Sequence, residues 1–176
     1  LSYFEIVEPP VDPVFISHTK FLLGNVHGWV LASHEGEPLS KGYGDTGHLL
    51  KTYSVNDELP KNEHFSILNT FAEYLLKTTL NSSKLNFSEL ETIRVFWNYY
   101  NHASQGTMHI DSDQPNTYSL IFNLSDTGGT IVNDKTVASR EGLGIIFNSD
   151  SLHKGLSPDF EQQRFCLNVI FKGIKY

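Results

Sequence analysis

The chain has 176 residues, 39% hydrophobic and 19% charged, which fits a soluble globular domain and excludes a disordered chain. Its net charge is −7 and its lysines and arginines are scattered, so no basic stripe exists and nucleic acid is not an expected partner. No apolar run approaches the ~20 residues that span a bilayer, and the single cysteine, Cys166, allows no intrachain disulfide and fits a reducing, cytoplasmic setting.

Residues 1–176 read as one domain with two textures: loops, short strands and a supporting helix over 1–90, then a β-rich core over 91–176. Residues 1–62 read as loops and short strands, because Pro9, Pro10 and Pro13 break the start and glycines from Gly24 to Gly47 punctuate the rest. Gly28 to Ser33 reads as a short strand. The glycine-rich stretch 41–48, ending in His48, reads as a surface connection or as a lid over a pocket. Over 63–80 the residues Phe65, Leu68, Phe71, Ala72, Leu75, Leu76 and Leu80 make one apolar stripe, which predicts a helix with Asn62 as its cap.

From Glu91 onward the texture is β. Ile93 to Tyr100 and Tyr118 to Leu124 are rich in β-branched and aromatic residues. Gly128-Gly129 marks a turn before Thr130 to Val132, and Asn133 to Lys135 marks another. Gly142 to Phe147 and Arg164 to Phe171 complete the strands. Many short strands separated by turns predict an antiparallel sandwich or barrel.

Chemistry concentrates in His109-Ile110-Asp111, His153 and Arg164. In extended backbone, residues i and i+2 face the same side, so His109 and Asp111 can share a pocket, and His153 arrives past the apolar run 143–147. A His-x-Asp tripeptide alone is weak, since composition supplies about 0.4 by chance. Two imidazoles and one carboxylate with open opposite positions suit non-heme Fe(II), with zinc as the alternative. Arg164 opens an apolar strand and needs an anion, either a protein carboxylate such as Asp150 or a ligand carboxylate. Cys166 and Asn168 share its side by alternation. His18, His27, His34, His48, His64 and His102 lack such a setting and default to surface or packing roles.

With those residues in place, the segment from Ile93 to Phe171 resembles the Fe(II)- and 2-oxoglutarate-dependent oxygenases, within them the prolyl-hydroxylase-like branch. The resemblance rests on Tyr99 or Tyr100, Gly106, His109-Ile110-Asp111, Gly128-Gly129, Leu143 to Phe147, His153 and Arg164. It implies a mainly β fold with flanking helices, a double-stranded β-helix or jelly roll of the cupin kind. It implies iron on His109, Asp111 and His153, and the distal carboxylate of 2-oxoglutarate on Arg164. Tyr99, ten residues before His109, matches a tyrosine that contacts the co-substrate, with Tyr100 the adjacent alternative; alternation lets only one face inward.

Two departures stand out. Cys166 replaces a Ser or Thr, and Phe122 stands where some relatives carry a tyrosine. Asp111 keeps the carboxylate that halogenating relatives lack, so the resemblance implies a hydroxylase or demethylase. The implied partners are 2-oxoglutarate, dioxygen and a peptidyl prolyl-like or small-molecule substrate, with ascorbate as a reductant. The rival readings are a cupin-like metal enzyme that does not use 2-oxoglutarate and a noncatalytic jelly-roll binding module.

Overall fold

Residues 2–31, 48–55, 63–104 and 106–175 are described by a computed structural model. After strand β1 (Phe4–Val7) comes helix α1 (Pro13–Asn25), which corrects the expectation of loops and short strands throughout 1–62. Pro13 opens this helix rather than breaking it. In the first turn its missing N–H forfeits no helical bond, and its fixed φ suits the helix. Asp12 caps the end by accepting from Val14 N at 2.8 Å. Ile16, Thr19 and Leu23, three and four residues apart, form the buried face.

Strand β2 (Val30–Leu31) pairs with β3 (His48–Ser54). Of the expected strand 28–33, Gly28 and Trp29 precede β2 without strand structure, and Ala32 and Ser33 lie outside the described residues, as do the 41–47 stretch and Asn62. Helix α2 (Glu63–Asn81) follows the apolar stripe, burying Leu68, Ala72, Leu75 and Leu76. The remaining strands are β4 (Phe87–Tyr100), β5 (Thr117–Asn123), β6 (Gly129–Val132), β7 (Lys135–Ala138), β8 (Gly144–Asn148), β9 (His153–Leu156) and β10 (Arg164–Lys175). Asn133 turns β6 into β7 with φ 51°, a conformation that asparagine tolerates better than most residues.

These strands form a seven-stranded sheet, ordered β1-β8-β5-β10-β4-β3-β2, and a three-stranded sheet, ordered β7-β6-β9. The paired strands run antiparallel, and the architecture is a jelly roll with helices on its outer side. Register decides which side chains see which layer. Trp97, Leu167, Phe122 and Ile146 sit on the large sheet's outer face, in one core with Leu23, Leu68, Leu75 and Leu76 of the helices. Tyr100, Cys166, Ile121, Ile145 and Phe147 sit on the inner face and pack with Val132 and Val137 of the small sheet. Burying a side chain of this size contributes about 1.5–3 kcal/mol, so both faces are held mainly by apolar contact. The inner face also carries Arg164, Asn168, Ser119 and Arg94, paired in register or separated by even steps. Polar groups buried in an apolar sandwich are costly unless they bind something.

Candidate metal centre

His109 does not lie in a strand. It forms an isolated antiparallel bridge with His153, the first residue of β9. The two backbones exchange hydrogen bonds, His109 N to His153 O at 3.0 Å and His153 N to His109 O at 2.9 Å. Alternation then turns both imidazoles to one side and leaves Met108, Ile110 and Leu152 exposed. Asp111 sits in the bend that follows, fixed by Asp111 N donating to Ser149 O at 2.9 Å. The shared pocket expected of His109 and Asp111 is therefore built by a bridge and a bend. The expected position of His153 past the 143–147 strand is refined, since it opens a strand of the other sheet.

The ligand atoms of His109, Asp111 and His153 lie within 4.8 Å of one another. Nε2 of His109 is 3.8 Å from Asp111 Oδ1, and Nε2 of His153 is 3.3 Å from Oδ2. Nδ1 of His109 faces Thr107 O at 2.9 Å, and Nδ1 of His153 faces Ser151 O at 3.0 Å. A carbonyl only accepts, so in the neutral rings the proton sits on Nδ1 and Nε2 keeps its lone pair. His153 Nε2 is buried and faces Asp111 Oδ2. Two lone pairs and a carboxylate converge, and they repel unless a cation separates them. A divalent metal fits this donor set.

Without metal, a proton can take that place. Burial alone would push the Asp111 carboxyl up, but His153, Ser119 and His109 outweigh it and hold the group well below the usual carboxylate range. Burial would push His153 down, but its hydrogen bond to Asp111 and that group's charge raise it above its usual value. Ser119 Oγ donates to Asp111 Oδ2 at 2.6 Å and neighbours Ser149 Oγ at 3.0 Å. Asn168 Nδ2 approaches both carboxylate oxygens at 3.4–3.5 Å. Such partners orient a ligand carboxylate.

Arg164 is 1% exposed. Its Nε donates to Ser139 Oγ at 2.9 Å, and its Nη2 to Thr130 Oγ1 at 3.0 Å and Asn123 Oδ1 at 3.4 Å. Nη1 donates to Leu156 O at 3.3 Å. All four acceptors are neutral. Among the described residues no carboxylate lies within ion-pair range of it, and Asp150 is exposed. The Arg164 guanidinium lies 5.2 Å from the Tyr100 ring centroid. A Cβ on Gly155 would stand 2.8 Å from the Tyr100 hydroxyl and 3.1 Å from Arg164 Nη1, so this glycine makes the close approach possible.

Tyr100, rather than Tyr99, occupies the Arg164 side of β4. Tyr99 faces the outer layer, its ring 5.1 Å from Phe165 and 6.1 Å from Trp29 between centroids. Phe122 also points outward, in register with Leu167, so its place is in the core and away from the metal residues. Sequence reading did not single out Arg94, Ser119, Asn123, Thr130 or Ser139. Ser119 and Asn123 share a side of β5 with Thr117 and Ile121, and that run of polar residues along one side of a strand was the available signal.

The chain has the fold of the 2-oxoglutarate, Fe(II) oxygenases. The carbocyclase SnoK, non-heme and alpha-ketoglutarate dependent, from nogalamycin biosynthesis, matches 98% of this chain and 80% of its own at TM-score 0.71 and 8% identity. The viral collagen prolyl hydroxylase of Paramecium Bursaria Chlorella virus-1, solved with 2-oxoglutarate, matches 98% of this chain and 97% of its own at TM-score 0.57 and 14% identity. A Pseudomonas putida prolyl-4-hydroxylase matches 96% of this chain and 92% of its own at TM-score 0.61 and 13% identity. Neither a family model nor a curated protein matches the chain by sequence.

Proposed function

We propose that this chain is an Fe(II)- and 2-oxoglutarate-dependent dioxygenase that hydroxylates a C–H bond. The observation that carries the proposal is the pairing of a convergent donor set, His109, Asp111 and His153, with a buried Arg164 that meets only neutral acceptors. His109, Asp111 and His153 would hold the iron. Arg164 would hold the far carboxylate of 2-oxoglutarate, with Tyr100 as its wall in place of Tyr99. Iron and 2-oxoglutarate, once bound, supply dioxygen activation for attack on an unreactive C–H bond, with release of succinate and carbon dioxide.

The chain's own groups prepare that chemistry. The Thr107 and Ser151 carbonyls fix the imidazole tautomers. Ser119 and Asn168 orient the Asp111 carboxylate. Ile121, Ile145 and Phe147 line the same inner layer with apolar surface, which keeps water from the reacting groups. The substrate class is a peptidyl prolyl-like residue or a small molecule, and ascorbate is the reductant to supply. Prolyl hydroxylases and the carbocyclase SnoK both share the fold, which supports either class. A metal enzyme without 2-oxoglutarate needs Arg164 paired with a protein carboxylate, and among the described residues none is in range. No helix among the described residues is long and apolar enough to cross a membrane, and the single buried cysteine favours a cytoplasmic home.

The test is succinate release on addition of Fe(II) and 2-oxoglutarate. The wild type should release succinate in proportion to 2-oxoglutarate consumed, and Asp111→Ala should fall to background, a loss of at least ~10³-fold in rate. Equal succinate release from both proteins ends the proposal.

A further inference from the structure

Arg94 lies on the far side of Asp111 from Arg164. It pairs in register with Ile170, six residues along β10 from Arg164, which separates the two backbones by about 20 Å at the usual strand rise. Arg94 Nη2 donates to Asp111 O at 3.2 Å and stands 3.8 Å from Asp111 Oδ1. Its guanidinium carbon lies 4.5 Å from the Phe96 ring centroid, so the ring backs one face of the fork. Its Nε is buried without a hydrogen-bond partner, while the side chain as a whole keeps 21% exposure. This cation stands at the edge of the candidate metal centre with its Nε donor left over.

Charge counting gives Arg94 a role. With a divalent metal bound, Asp111 offsets one metal charge. A 2-oxoglutarate dianion offsets the other and the Arg164 charge. The filled centre is then neutral, and the Arg94 charge is left without a counterion. Among the described residues, no carboxylate other than Asp111 is within ion-pair range of it. A largely buried cation in this position calls for an anion.

Building on the dioxygenase reading, we propose that the primary substrate carries an oxyanion, a carboxylate or a phosphate, which Arg94 anchors beside the metal. The planar fork matches either group in two-pronged fashion. Arg94 would thereby set which C–H bond meets the metal, and it would reject the neutral analogue of the same substrate.

The test uses calorimetric titration of the whole protein, loaded with Zn(II) and saturated with 2-oxoglutarate. The probes are butyrate against butyramide, and glucose 6-phosphate against glucose. At least one acid should bind tenfold or more tightly than its neutral partner, and the winning pair identifies the group. Arg94→Gln should erase that preference, while Arg94→Lys, which keeps the charge, should retain part of it. Equal binding of acids and neutral partners overturns the proposal. So does an acid that 2-oxoglutarate displaces, because that acid sits at Arg164. Should neither Zn(II) nor 2-oxoglutarate bind, the dioxygenase reading falls, and the same comparison on metal-free protein still decides whether Arg94 takes an anion. The wild-type comparison needs no variant, so a misfolded Arg94→Gln does not spoil the decision.

Discussion

Asp111 meets Ser119, His153 and Asn168 through Oδ2, and His109, Arg94 and Asn168 through Oδ1. The Ser119 bond is the shortest of these, so Ser119→Ala should let the carboxylate swing without emptying the site. Metal affinity should weaken about 10–100-fold, the usual range for such partners, and competition against a chelator would measure it. Unchanged affinity would mean that Asn168 and the backbone bond to Ser149 hold Asp111 without Ser119. The grouping of His109, Asp111 and His153 was legible in the sequence because spacing and residue type carry it. Arg94 and Ser119 were not, since their roles follow from which strands pair and in what register. The tyrosine choice was half legible. Alternation demanded that one ring face inward, but only the pairing of Tyr100 with Arg164 decides which.

At the scale of elements, the long strands and α2 announce themselves through period, and α1 does not. Pro9, Pro10 and Pro13 together imitate a loop, although Pro13 fits the first turn of α1 and Asp12 caps it. Asp12→Ala should therefore lower stability by about 1 kcal/mol, read from urea denaturation, with no effect on metal affinity. Strands β7 and β9 are four residues each with mixed composition, too short for a period to show. Yet β9 supplies both His153 and the close approach at Gly155. Gly155→Ala should push Tyr100 and Arg164 apart and raise the Kd for 2-oxoglutarate about tenfold or more, while Co(II) affinity stays within about twofold; calorimetry with each ligand separates the two. Equal losses for both ligands would mean that the β9 backbone itself had moved.

For the whole molecule, the centre ties folding to pH and metal. In metal-free protein the raised pKa of His153 means that its stabilising contribution is complete below about pH 6.5 and is lost as pH rises through the raised value. The depressed pKa of Asp111 works the opposite way, with its contribution present above about pH 4 and lost as pH falls through the lowered value. The urea midpoint of metal-free protein should thus drop between pH 6 and pH 8.5, and Asp111→Asn should remove most of that drop. Metal displaces the shared proton, so Co(II) should bind more tightly as pH rises, and at one hundred times its Kd it should add about 2.7 kcal/mol. A pH-independent midpoint would show that the His153–Asp111 pair contributes nothing to folding. One last consequence comes from the mutual amide bonds of His109 and His153. The bridge that holds the two imidazoles side by side is made of peptide groups, which every residue but proline supplies in full, so a protein with either histidine replaced should keep this backbone pairing.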